Sequence, residues 1–369
     1  MNFLIQKFNS IIRALSHFIL LFSQVISYQI AFYPIIFLGI LINFKNFIRS
    51  RFVLLTLIFV ITMLFSAYLR GGSLDYNIKM IQFFLGILFV SIFFKVNKSF
   101  SIESWIIYMF VGLVFYEVIS TNVLNSLPFF YDDLSTKQFN HANDAVGLVR
   151  AKTASGFFRA FGPTLNSSVS GSILAILFFV LIDKRRLKPV KMRLKVLVFS
   201  AMVACLSATA FVVFISVWAM YLIRDFKPLK LFLILIISLT VLACGYVVFL
   251  LIIDNKESGI DSLIAWESIE YVFYQQYNEF AGLPLFGLDL TPGETLEKIG
   301  GDTAIFNAIS VIGVYGLLGL FSLLMYASEK GTRIYIIAGF ISTLHYGALF
   351  FLSGQFFFAA ILNNAIIRK

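Results

Sequence analysis

The chain has 369 residues, of which 60% are hydrophobic and 17% aromatic but only 13% charged, with a mean hydropathy of +0.91. Soluble domains carry about 25% charged residues, so a soluble core of this size is not expected, and apolar runs near the ~20 residues needed to cross a bilayer recur along the chain. The formal net charge of +10 does not point to nucleic acid, because the basic residues stand in short blocks between apolar runs, the positive-inside pattern of membrane helices.

In chain order, the first apolar run has no small-residue cleavage site after it and hydrophobicity resumes, so it reads as part of the protein rather than as a cleavable signal. The stretch from Arg13 to Lys45 is interrupted by Pro34 and flanked by positive charge at both ends, and is expected to leave the cytoplasm and return as a hairpin. Single spans are predicted at 52–69, 76–94, 103–121, 167–183, 231–253 and 304–326. Two more stretches read as hairpins of short or tilted helices: Lys195 to Arg224, interrupted by "LSATA", and Arg333 to Arg368, interrupted by "LSGQ". The expected architecture is an all-α polytopic membrane protein of about twelve spans in one domain over residues 1–369, with both termini cytoplasmic. On that topology 21 of the 29 Lys and Arg face the cytoplasm and 8 face outward. Cys205 and Cys244 both lie in apolar runs, against a disulfide framework or a thiolate metal site.

Two outer loops remain, at about 121–166 and 254–302. The first carries His141, Asn143 and Asp144 in "FNHANDA", then Arg150, Lys152 and Arg159 close to the membrane. The second is acidic, with Asp254, Glu257, Asp261, Glu267, Glu270 and Glu279 among its acids against only Lys256 and Lys298. Within it, "DSLIAWESIEYVFYQQYNEF" has Leu263, Trp266 and Phe273 at helical spacing, as in a helix lying on a membrane surface.

A cationic strip beside a carboxylate-rich loop suits a substrate with an anionic, lipid-linked head and a hydroxyl-rich body. Arginine's planar fork binds phosphate oxygens bidentately, and it stabilises a departing pyrophosphate without a metal. A carboxylate or histidine is suited to deprotonating an attacking hydroxyl. Each residue also has a plainer reading. Arg159 at the outer end of a helix equally suits an interfacial anchor, His141 a solvated loop side chain, and Asp302 a helix N-cap. Gly313, Gly316 and Gly319 most simply permit close helix packing. No nucleotide-binding loop, dinucleotide fingerprint or zinc-protease helix occurs.

Four stretches carry a resemblance: "RAFGPTLNSSVSGSILAIL", the hairpin "VFSAMVACLSATAFVVFISVWAMYL" with Ser207 and Thr209 at its outer turn, "GLPLFGLDLTPGE", and "GDTAIFNAISVIGVYGLLGLFSLLMY". In order and spacing they are similar to the Wzy-type polymerases of O-antigen and other repeat-unit polysaccharides, and more distantly to the related O-antigen ligases. The chain departs from that pattern at Ala208, where many relatives carry arginine, and at Leu288, where a second glycine is common.

The resemblance implies a metal-independent membrane glycosyltransferase with no cofactor, in a bacterial plasma (inner) membrane. A glycan on undecaprenyl pyrophosphate is expected to pass to a hydroxyl of the next lipid-linked repeat unit at the outer face. Arg159 is then the expected pyrophosphate ligand, with Arg150 and Lys152 as helpers. His141 and Asp302 position or deprotonate the acceptor, and Asn166, Glu267 and Glu270 contact substrate. A flippase and a chain-length regulator are the implied protein partners. An O-antigen ligase and a lipid-linked oligosaccharide flippase stay open as alternatives. Spans nearly free of charge and polar mass in the outer loops favour surface chemistry over midplane transport.

Overall fold

The structure, a computed structural model, describes residues 28–70, 74–98, 100–124, 159–164, 166–183, 190–224, 285–287, 304–329, 331–343 and 347–367, together with Ile11, Ala14 and His17. Among the described residues the secondary structure is helical, and one isolated bridge joins Ile102 to Ile366. The helices are α1 (Tyr28–Ile42), α2 (Phe44–Arg49), α3 (Arg51–Arg70), α4 (Leu74–Val96), α5 (Ser104–Asn122), α6 (Ser167–Ile182), α7 (Met192–Ala204), α8 (Ala208–Arg224), α9 (Ala304–Ala327), α10 (Arg333–Ser342) and α11 (Leu352–Leu362).

Among the described residues, three segments are long and apolar enough to cross a membrane: Arg51–Arg70, Ser104–Asn122 and Asn307–Ala327. Shorter apolar helices accompany them, at Ile81–Val96, Ser167–Ile182, Ala208–Leu222, Arg333–Ser342 and Leu352–Leu362. Large apolar side chains on α3 face outward, with Ile61, Phe65, Tyr68 and Leu69 each at least 60% exposed. A contiguous apolar stripe of that kind is the signature of contact with lipid or another apolar surface, not water.

Helices apolar on all sides belong in the middle of a bundle, and α6 and α11 are buried along almost their whole length. α6 packs on α7 and α8, while α11 packs on α4, which also meets α3 and α9. α4 and α11 run in the same direction: Phe84 meets Phe350, Phe94 meets Phe356, and further along Ile102 N donates to Ala365 O at 2.7 Å. The ring pairs are edge-on, the preferred geometry of packed aromatics.

The helix ends sort into two sets. At one end lie the Ile102–Ile366 bridge, the Asn43–Asn97 hydrogen bond (2.6 Å) and Lys95 Nζ donating to Ala327 O at 2.9 Å. The basic residues Lys45, Arg49, Arg51, Lys98, Lys191 and Arg333 flank these helix ends in sequence. At the other end lie the α7–α8 turn, residues 159–164 and 166, and the start of α9, whose Ile305 N donates to Thr343 O at 2.9 Å.

Several boundaries agree closely with the expected spans, and three findings correct the reading. The helix does not break at Pro34: α1 runs through it. Proline removes a single backbone hydrogen bond, which an apolar helix packed on neighbours tolerates. α10 ends at Ser342 and α11 begins at Leu352, so "LSGQ" is not the interruption but the first turn of α11. There Gln355 Nε2 satisfies the carbonyls of Phe83 (2.9 Å) and Phe350 (2.7 Å). Third, α9 covers the expected span but is kinked within it, since Gly313 sits at φ 72°, ψ 175°. The α7–α8 hairpin forms as expected, turning at Cys205–Ser207. The predicted span 231–253 lies outside the described residues, as does most of both outer loops.

Candidate functional site

The site is built on one carboxylate. α5 is an apolar helix whose single acid, Glu117, is only 2% exposed. Burying a carboxylate costs several kcal/mol unless hydrogen bonds replace its water. Here both oxygens accept from consecutive peptides, Oε1 from Phe161 N at 2.9 Å and Oε2 from Gly162 N at 2.7 Å. These are charge-assisted bonds of the stronger class.

The chain at that point must reverse into α6, and Gly162 permits it. Its φ is +65°, and a Cβ there would lie 2.8 Å from Ser170 Oγ and 3.0 Å from Val114 Cγ2, so glycine is needed for both conformation and space. A short 3-10 turn, Gly162–Thr164, follows. Ser170 Oγ donates to Phe161 O at 2.6 Å and lies 2.7 Å from Thr164 Oγ1. Asn166 is the N-cap of α6, its Oδ1 accepting from Ser168 N (2.9 Å) and Val169 N (3.1 Å). On the third side Ala160 N donates to Ala204 O at 3.1 Å, and Ser207 Oγ donates to Ser168 Oγ at 3.1 Å. Residues 160–164 and 166 are therefore tied to α5, α6 and the α7–α8 turn together.

Arg159 is the residue just outside this clamp. It is half-buried, with its Cζ 6.0 Å from the centre of the Phe161 ring, inside the range of a cation–π contact. A guanidinium carried on a fixed backbone is suited to a phosphate-like anion. Asn166 has its carbonyl oxygen committed to the helix cap, which leaves its amide nitrogen as the group it can offer a ligand. His141, Arg150, Lys152, Glu267, Glu270 and Asp302 lie outside the described residues.

Glu117 escaped the sequence reading, although its signal was present: an isolated acid in the apolar run "IIYMFVGLVFYEVIS" is a site hypothesis by default. The hydroxyl of Ser207, expected at the outer turn, is at that turn but points into the helix contacts, where it also accepts from Ala210 N at 3.3 Å. His17 is buried between Phe100 and Trp105, both with ring centroids 5.5 Å away.

A second polar contact lies at the break in α9. Leu285–Gly287, the middle of "GLPLFGL", lies against Gly313, and Tyr315 N donates to Leu285 O at 3.1 Å. Arg70, the last residue of α3, reaches the same break: Nη2 donates to Val311 O at 3.1 Å and Nε to Ser66 O at 3.3 Å. Two of the four stretches that carried the resemblance thus pack on each other. Gly316 and Gly319 do serve close packing, against Met63 and Phe59 of α3. Gly313 does not; it makes the break.

Among the described residues no three His, Cys, Asp or Glu side chains come together. No protein-family model, curated protein or solved structure matches the chain.

Proposed function

We propose that the protein is a Wzy-type membrane glycosyltransferase that polymerises undecaprenyl-pyrophosphate-linked repeat units of O-antigen, capsule or exopolysaccharide. Its site faces outward from a bacterial plasma membrane, in a chain of about twelve spans with cytoplasmic termini. The observation that carries this reading is Arg159, held at the head of α6 on a loop anchored by the Glu117 carboxylate. Its position at the bundle end opposite the basic residues supports an outward orientation by the positive-inside rule.

In the reaction, an acceptor hydroxyl attacks the anomeric carbon of the donor glycan. The bond from that carbon to the pyrophosphate oxygen breaks, undecaprenyl pyrophosphate leaves, and the hydroxyl proton passes to a base. Arg159 takes up charge developing on the leaving pyrophosphate, which lowers the barrier because the guanidinium is already in place. Arg150 and Lys152 assist it, Glu267, Glu270 and Asn166 contact sugar, and His141 or Asp302 receives the proton. A chain-length regulator and a flippase are the protein partners of this reading.

The break at Gly313 favours a second reading, a lipid-linked oligosaccharide flippase, because transporters bind cargo at interrupted helices. Against it, the freed carbonyl of Val311 is already bonded to Arg70.

The test is the glycolipid profile of a strain lacking the gene, complemented with wild type, Arg159→Ala or Arg159→Lys. A lost ladder with one repeat unit still attached supports the polymerase, and neither variant restores the ladder, because a lysine cannot reproduce the planar fork. Lipid-linked polymer that stays unattached means a ligase, and units held at the cytoplasmic face mean a flippase. A full ladder from correctly inserted Arg159→Ala overturns the assignment.

A further inference from the structure

We propose that Glu117 is the positioning residue of the anion site, setting the place of Arg159 through the two peptides that follow Ala160. This rests on the reading of Arg159 as a pyrophosphate ligand. A single acid buried in an apolar helix is costly to keep, and what it holds here is specific. The N–H groups of Phe161 and Gly162 point the same way and each takes one carboxylate oxygen. No uncharged side chain presents two acceptors at that spacing; a glutamine in the same place offers one acceptor and turns an NH2 against the other N–H.

The rest of the loop depends on this pair. Ala160 is fixed to Ala204 O and Phe161 O to Ser170, so three elements meet within two residues of Arg159. Bidentate recognition of an anion tolerates little displacement. Releasing the Phe161 and Gly162 peptides lets the Arg159 backbone drift while the helices around it remain packed. Glu117 therefore acts on the substrate through Arg159 and does not touch it.

The experiment is a double-mutant cycle on the full chain in lipid nanodiscs, reading the dissociation constant of farnesyl pyrophosphate and, in parallel, the thermal unfolding midpoint. The proteins are wild type, Glu117→Gln, Arg159→Ala and the double variant. Glu117→Gln is expected to weaken binding by about tenfold or more, the size of one unsatisfied buried donor, and to cause no further loss once Arg159 is alanine. A purely structural role lowers the midpoint equally in both backgrounds and weakens binding equally in both, which overturns the proposal. So does a Glu117→Gln protein that binds like wild type. If Glu117→Gln fails to insert, Ser170→Ala, which removes the donor to Phe161 O, runs the same cycle with the same expectations. A wild type that does not bind the probe removes the anion site and this inference with it. A wild type that binds while the Glu117 and Ser170 variants bind equally well removes only the inference.

Discussion

Replacing Gly313 by alanine tests whether the break in α9 is a built feature. At φ 72° and ψ 175° the residue occupies a region essentially reserved for glycine, where a side chain costs roughly 1–3 kcal/mol. The new Cβ also meets backbone rather than flexible side chains, lying 2.5 Å from Gly287 N and from Phe286 C and closer still to Leu285 O. Overpacking of that kind adds roughly 1–3 kcal/mol, for a total near 2–6 kcal/mol. At about 2 °C per kcal/mol for a chain of this length, the apparent unfolding midpoint falls by roughly 4–12 °C. The assay is thermal unfolding of the detergent-purified protein at one fixed scan rate, since large membrane proteins unfold irreversibly. Gly112→Ala is the control: it lies in the middle of α5 with nothing within 4 Å of its Cβ position. There alanine should match or exceed wild type, by up to about 1 kcal/mol. If Gly313→Ala melts with the wild type, α9 is continuous and Leu285–Gly287 does not dock on it.

Arg70→Ala leaves Val311 O without its guanidinium donor and is expected to cost about 1–3 kcal/mol, measured by the same unfolding midpoint. Combined with Gly313→Ala the losses should fall short of additive, because both substitutions act on one assembly. For Asn166, alanine removes the α6 cap and is expected to cost about 1 kcal/mol, whereas Asn166→Asp keeps the capping oxygen. A stable Asn166→Asp protein that has lost the glycan ladder assigns the amide nitrogen to substrate; one that keeps the ladder confines Asn166 to capping.

The helices were legible because hydrophobicity is integrated over twenty residues and basic blocks mark where each span stops; α3, α4, α5 and α6 each start and end within about two residues of the expected bounds. What was illegible depended on single residues seen out of context. Pro34 and "LSGQ" looked like interruptions because proline and glycine break isolated helices, yet neighbouring helices supply the packing that holds α1 and α11 together across them. Gly313, Gly316 and Gly319 form one pattern in the sequence but do two jobs, and only a partner absent from that pattern, the Leu285–Gly287 segment, separates them. The same holds at the loop that carries Arg159. The motif around Arg159 was visible from its Gly-Pro and Asn punctuation, but the acid that anchors it lies 42 positions earlier in the chain, in a helix read only for its hydrophobicity. A buried charge has to be satisfied by something, and in an apolar span that partner must come from outside the helix. Glu117 in a run of Phe, Val and Ile is therefore already a statement that a polar loop docks there. The sequence could not say which loop, because Phe161 and Gly162 offer nothing but backbone N–H groups, and every non-proline residue has one of those.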